Sequence, residues 1–237
     1  MIVHTPAIVL KTIPYGDTSM ISRCFTLEKG KIGLIIKGAR SKKSPKSAYF
    51  QHLSYIEIIY YDKPNRDLQV LSKVNFKESW PHIQNSLKAV TLALAILEMT
   101  DRTLEIDDPH FGLFNILVDI LRGFNDRKAD PNMLFWFYEC ALLSHLGFRP
   151  DLDCRDMPGI TFPDPYEGEH SGQILLQLLD GKIDRLPLNH VSQKDNRVIS
   201  NYLQTQLFQH FDNLTRLRSL DVARQILADC NENQVKV

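Results

Sequence analysis

AIVLKTIPYGDTSMISRCFTLEKGKIGLIIKGAR, residues 7–40, is the stretch whose reading decides the fold. Three short runs rich in β-branched and aromatic residues, Ala7–Ile13, Met20–Leu27 and Lys31–Ala39, are separated by Pro14-Tyr15-Gly16-Asp17 and by Glu28-Lys29-Gly30. Such runs broken by turn residues read as antiparallel strands. In the third, Ile32, Leu34 and Ile36 share one face, and Lys31, Gly33, Ile35 and Lys37 share the other. Working outward, Ser54–Tyr61 and Leu68–Phe76 add two more strands after the turn-rich stretches 41–47 and Asp62-Lys63-Pro64-Asn65. Five short strands in about seventy residues suit a small closed barrel, for which the OB-fold is the common solution. An SH3-like barrel is the alternative.

After Trp80-Pro81 the hydrophobic period changes from two to 3.6, with Leu87, Val90, Leu94 and Leu97 at helical spacing, so a helix is expected over 82–104. Asp108-Pro109 with Gly123, and Asp130-Pro131 with Gly147, each place an acidic cap, a first-turn proline and a terminal glycine around a further helix. Met133-Leu-Phe-Trp-Phe-Tyr is apolar on nearly every side, as the central helix of a bundle would be. Helices are also expected over 172–179, 193–211 and 220–229, the second opened by Ser192 and Asp195 in a capping box. Between them, 148–171 holds four prolines and six acids without periodicity and reads as an irregular loop. The fold class expected is α+β: an N-terminal five-stranded barrel over 1–80, then an all-α helical domain over 81–237.

The 28 basic and 28 acidic residues cancel over the 237-residue chain, but not along it. Residues 1–80 carry 13 Lys and Arg against six acids, a net +7, and the remainder carries 15 against 22, a net −7. That asymmetry joins a polyanion-binding module to one with a different task. Composition excludes disordered and fibrous classes, and no apolar run approaches the roughly 20 residues of a membrane span. Met1–Leu10 lacks a basic n-region followed by a long apolar stretch, so no secretory signal is expected. Cys24, Cys140, Cys154 and Cys230 are scattered without a CxxC pair and read as free thiols of a reducing cytoplasm.

From Lys29 to Lys46 the chain has seven cations and no acid: Lys29, Lys31, Lys37, Arg40, Lys42, Lys43 and Lys46. Cationic side chains that meet phosphates release counterions, which supplies most non-specific nucleic-acid affinity. Lys11 and Arg23, on earlier strands, extend the patch. Tyr15, Tyr49, Phe50 and Tyr55 are aromatics with base-stacking capacity, although each also suits a core. Catalytic motifs are missing: there is no GxxxxGK[ST], GxGxxG, GxSxG or HExxH. The histidines, His52, His145 and His190 among them, have no partner at ligand spacing, and Cys154 with Asp156 and His170 falls short of the four ligands of a structural zinc site. Neither enzyme activity, a metal nor another cofactor is expected.

Ala7-Ile-Val-Leu-Lys-Thr-x-Pro-Tyr-Gly-Asp-x-Ser and Leu27-Glu-Lys-Gly-Lys-Ile-Gly-Leu-Ile-Ile-Lys-Gly-Ala-Arg resemble the opening of the RecO recombination-mediator family. Leu142-Leu-Ser-His-Leu-Gly-Phe-Arg-Pro-Asp-Leu and Leu217-Arg-Ser-Leu-Asp-Val-Ala-Arg-Gln-Ile-Leu are similar to later segments of that family, in the same order. The resemblance implies an OB-fold that binds single- and double-stranded DNA and anneals complementary strands, followed by a helical domain. It also implies three partners: RecR; the acidic C-terminal tail of the single-stranded-DNA-binding protein; and, indirectly, RecA, which is loaded onto DNA coated by that protein. A cytoplasmic, nucleoid-associated location goes with it. Arg216, Arg218 and Arg224 are the cations proposed for the acidic tail. Some members hold zinc through paired cysteines in the loop after the central helix, a pattern from which Cys154-Arg155-Asp156-Met157 departs. The reading kept beside this one is an OB-fold adaptor that binds RNA or an acidic protein.

Overall fold

The alternation of the first eighty residues closes a barrel. The computed structural model describes residues 1–237 except 43, 65, 128, 154–155, 158–159, 184–185, 187–190, 216, 218, 220–221 and 223–237. Strands β1 (Ile2–Tyr15), β2 (Ser19–Thr26) and β3 (Gly30–Ile36) precede a one-turn helix α1 (Lys46–Tyr49), and β4 (Tyr55–Tyr61) and β5 (Gln69–Glu78) follow. The closed order is β1-β2-β3-β5-β4, with β3 and β5 parallel and the other pairs antiparallel, which is the OB-fold arrangement. β1 pairs β4 through its first half and β2 through its second, and a bulge between Val9 and Lys11 turns it. Inward residues Val9, Cys24, Ile32, Leu34, Ile36, Ile56, Ile58 and Tyr60 form the barrel core.

A 3-10 turn at Ile83–Asn85 leads into α2 (Leu87–Thr103), α3 (Phe111–Asp126) and α4 (Pro131–His145). After a two-residue hairpin of β6 (Asp156–Met157) and β7 (Ile160–Thr161) come α5 (Ser171–Leu179) and α6 (Gln193–His210). Asp130 caps α4 as expected, its carboxylate accepting from the Asn132 amide at 2.7 Å. Ser192 accepts from the Asp195 amide at 3.0 Å and donates to the Asp195 carboxylate at 2.6 Å. The central helix α4 is buried on nearly every side.

Three expectations change. The helix expected from 82 begins at Leu87, where the Ser86 hydroxyl accepts from the Ala89 amide. Asp108-Pro109 lies before α3, which is capped by His110 without a side-chain hydrogen bond, and the Asp108 carboxylate instead meets His110 at 3.0 Å. Gly123 does not end α3, which continues to Asp126 and stops at Arg127 in the left-handed region. A Cβ on Gly123 would sit 3.0 Å from Leu134 Cδ2, so the glycine lets α3 and α4 approach closely. The helix expected over 220–229 lies outside the described residues, Val222 apart.

The barrel does not stand apart from the helices. Ile8, Leu10, Phe25 and Tyr55 point away from the barrel core and join Trp80 and the faces of α2, α3 and α4 in one buried cluster. Phe25 meets Phe114 edge-on at 5.3 Å, and Tyr55 stacks on Trp80 at 5.7 Å. Polar contacts fix the docking. The Asp107 amide donates to the Lys31 carbonyl at 3.0 Å, and Gly30, at φ +65°, lies so close that a Cβ would fall 1.9 Å from the Asp108 carbonyl oxygen. Arg122 of α3 grips Glu78 at the end of β5 through Nε and Nη2, at 2.8 to 3.1 Å.

Candidate nucleic-acid interface

Strand register builds one outward face from β1, β2 and β3. Cα partners across antiparallel strands point their side chains to the same side. Lys11 pairs Arg23, and Arg23 pairs Gly33, which forms one cross-strand row. Two residues along, Ile13, Ile21 and Ile35 form the next, and Tyr15 pairs Ser19 beyond that. Ile13 and Tyr15 are 45% and 51% exposed, as Tyr61 and Phe76 are elsewhere in the barrel, and they stand in adjacent rows of one face. The face is therefore an apolar strip with cations at one end, Lys11 and Arg23. Cations also stand at the other end.

Those at the second end follow β3. Lys37 and Lys42 are exposed there, and Arg40 pins its segment to the β1–β2 turn. Its amide donates to the Thr18 carbonyl at 2.8 Å, and its Nη1 donates to the Gly16 carbonyl at 3.0 Å. Arg23 to Ser19 spans four residues of β2, so the two cationic ends lie about 14 Å apart at roughly 3.4 Å per residue. A stacked strand of nucleic acid rises about 3.4 Å per nucleotide, so the strip matches about four.

The other cations of the basic stretch have different surroundings. Lys29 pairs with Asp62 at 3.2 Å, and Lys46 is half-buried at the start of α1. Lys31 is buried; its Nζ donates to the Asp101 carbonyl of α2 at 2.7 Å, and burial pushes its pKa below the ordinary lysine value. This ammonium ties β3 to α2 and does not reach the outer face. Arg23 pairs with the Asp101 carboxylate at 3.0 Å yet keeps 43% of its side chain exposed. Lys43 lies outside the described residues, as do Arg216, Arg218 and Arg224.

Sequence reasoning missed Lys63 and Arg66, both exposed in the β4–β5 connection. The parallel pairing of Leu34 with Gln69 brings that connection beside β3, and a Cβ on Gly33 would lie 3.0 Å from the Asp67 carbonyl oxygen. Their only signal was their share in the +7 of the first eighty residues.

On the helical side a groove of about 350 Å³ runs between Phe148, Phe162, Gln206 and His210, with Arg149 at its edge. Phe148 stacks on His210 at 4.2 Å, and burial lowers the His210 pKa below the usual imidazole value. Among the described residues no three His, Cys, Asp or Glu side chains gather as metal ligands, and Cys24 and Cys140 are buried. Cys154 falls outside those residues. No helix among them is long and apolar enough to cross a membrane.

Residues 1–80 match the family model for the N-terminal region of recombination protein O, and residues 84–177 match that for its C-terminal region. The chain belongs to the RecO family. It is 35% identical to the DNA repair protein RecO of Salinibacter ruber over 182 residues, 77% of this chain and 66% of that one. It is 32% identical to the RecO of Chlorobium limicola over 65% of this chain and 59% of the relative. The RecO of Prosthecochloris aestuarii aligns over 97% of this chain and 99% of its own length at 25% identity. The chain thus spans somewhat under two thirds of the first two relatives. Within the RecO family framework, the barrel corresponds to the N-terminal region, and α2 to α4 and most of α5 to the C-terminal one.

Proposed function

We propose that this RecO-family chain is a DNA repair and recombination mediator that binds single- and double-stranded DNA on the barrel and anneals complementary strands. The observation that carries this reading is the cation-flanked apolar strip across β1, β2 and β3. Phosphates meet Lys11 and Arg23 at one end and Lys37, Arg40 and Lys42 at the other, with Lys43 in the same stretch of sequence. Bases lie over Tyr15, Ile13, Ile21 and Ile35. Stacking on an aromatic face and pairing of cations with phosphates leave Watson–Crick edges free, and the cations reduce the repulsion between two strands. Both features favour annealing without nucleotide hydrolysis, in keeping with the missing phosphate-binding motif.

The partners proposed are those of a mediator: RecR, the acidic tail of the single-stranded-DNA-binding protein, and RecA through loading onto coated DNA. The helical domain, with its net negative charge, suits a peptide groove better than non-specific DNA binding. The groove between Phe148 and Phe162 with Arg149 at its edge supports that division, because an acidic peptide with apolar anchors needs both.

The test is annealing of two complementary oligonucleotides without nucleotide, followed by fluorescence quenching. Tyr15→Ala should weaken single-strand binding by the worth of one stacked base, about 1–3 kcal/mol, and slow annealing in step. A chain that binds RNA or an acidic protein tightly but does not accelerate annealing would favour the adaptor reading instead.

A further inference from the structure

Between the barrel and the helices lies a cleft of about 630 Å³, within the range that ligand sites occupy. Its walls bring together Lys11, Arg23 and Lys31 of the barrel, His52 ahead of β4, and Arg102 of α2, above a floor that includes Leu10 and Leu94. Two carboxylates also line it, Glu98 and Asp101, so its four Lys and Arg side chains outnumber the acids by two, although Lys31 is buried against the Asp101 carbonyl.

Glu98 is engaged through both oxygens and Asp101 through one. Glu98 pairs with Arg102 through one oxygen, and its other accepts from the Ser219 amide at 3.2 Å and the Ser219 hydroxyl at 2.7 Å. Asp101 holds Arg23 through Oδ2, while its Oδ1 is buried with no hydrogen-bond partner among the described residues. The paired oxygens position cations, and the unpartnered Asp101 Oδ1 is kept from an entering ligand by its burial. Lys11 and His52 are exposed and have no ion pair among the described residues.

We infer that the cleft takes a phosphodiester of the single strand bound on the barrel, with Lys11 and Arg23 handing the backbone on to His52 and Arg102. Two observations select nucleic acid over a free small anion. The Lys11–Arg23 row belongs both to the outer face and to the cleft wall, so a strand that leaves the strip at this end enters the cleft. The apolar floor also offers a base a surface while its phosphate faces the cations. This rests on the barrel-face reading above and extends the bound strand beyond the four nucleotides of the strip.

His52 gives the cleanest test, because its side chain is exposed and makes no hydrogen bond or ion pair among the described residues. Single-stranded oligonucleotide affinity would be measured against salt for the full chain, for His52→Glu, for His52→Lys and, as a control on the strip, for Arg40→Ala. His52→Glu should weaken binding of a 30-nucleotide strand by about tenfold, and His52→Lys should tighten it with a log–log salt slope steeper by about 0.7. A tetranucleotide, which covers the strip alone, should respond to Arg40→Ala and not to His52. If Arg40→Ala weakens binding while both His52 variants keep parental affinity and slope, the cleft inference is overturned and the face stands. If Arg40→Ala and Tyr15→Ala also change nothing, the face reading itself fails, and the cleft with it. Tightening of an acidic peptide, with no change for DNA, by His52→Lys would assign the cleft to a protein and overturn the inference.

Discussion

Cutting the chain after residue 80 isolates the barrel from the helices, and the structure sets the cost. Ile8, Leu10, Phe25 and Tyr55 are at most 6% exposed, and all four pack into the cluster shared with α2, α3 and α4. Burying one such side chain is worth about 1.5–3 kcal/mol, so exposing four forfeits about 6–12 kcal/mol. Whole domains are stable by only about 5–15 kcal/mol. The excised barrel also loses the Asp101 partner of Arg23 and the carbonyl that receives Lys31, together with the grip of Arg122 on Glu78. Residues 1–80 alone should therefore lack a cooperative urea transition and bind a hydrophobic dye, while the full chain unfolds sharply. Near-ultraviolet circular dichroism and dye fluorescence across a urea series would follow both. A sharp transition of residues 1–80, with a midpoint close to that of the full chain, would refute the shared core.

Three further outcomes rest on the interface contacts and on burial in the two cores. Gly30→Ala combines a left-handed backbone with a Cβ 1.9 Å from the Asp108 carbonyl oxygen, and should cost on the order of 3 kcal/mol, lowering the melting temperature by about 6–12 °C. Scanning calorimetry that finds no loss of stability would contradict the close docking of β3 on the α2–α3 connection. The hydrogen bonds from Arg122 hold the Glu78 pKa below the ordinary glutamate value of 4.5. A depressed carboxylate contributes stability above its unfolded-state pKa that is lost as pH falls through the folded one. Glu78→Gln should therefore cost about 0.5–1 kcal/mol at pH 7, a figure kept small by solvent screening, and nothing once Glu78 is protonated. An equal difference at pH 7 and at pH 3 would count against the pair. Burial pushes the Cys24 thiol up to about 12 and raises that of Cys140 as well, so iodoacetamide at pH 8 should modify neither until the chain unfolds. Peptide mass spectrometry would detect early modification.

The barrel was legible because strand alternation depends on neighbours in sequence. Ile32, Leu34 and Ile36 point inward as their spacing requires, and the strand limits shift by only a few residues apart from the early start of β1. Asp130-Pro131 was legible for the same reason, since a cap and its helix are adjacent. What escaped depends on distant partners. Gly123 resembles a terminator in isolation, and only the approach of Leu134 explains it. Lys31 counted as one more cation of the basic stretch, whereas its ammonium lies buried against a carbonyl seventy residues away. Lys63 and Arg66 lie in a connection brought beside β3 by parallel β3–β5 pairing, which no local pattern announces. The strip of Ile13, Tyr15, Ile21 and Ile35 likewise needed the register, because its members come from three strands.

The central claim is that exposed cations at the ends of this strip meet phosphates. Changing Lys37, Arg40, Lys42 and Lys43 together to Ala, and measuring single-stranded DNA affinity by fluorescence anisotropy across a salt series, tests it most directly. The expected result is a folded protein with weaker binding to every sequence, and a log–log salt slope shallower by about 0.7 for each phosphate no longer met by a cation. A folded variant that keeps both the parental affinity and the parental slope would contradict it.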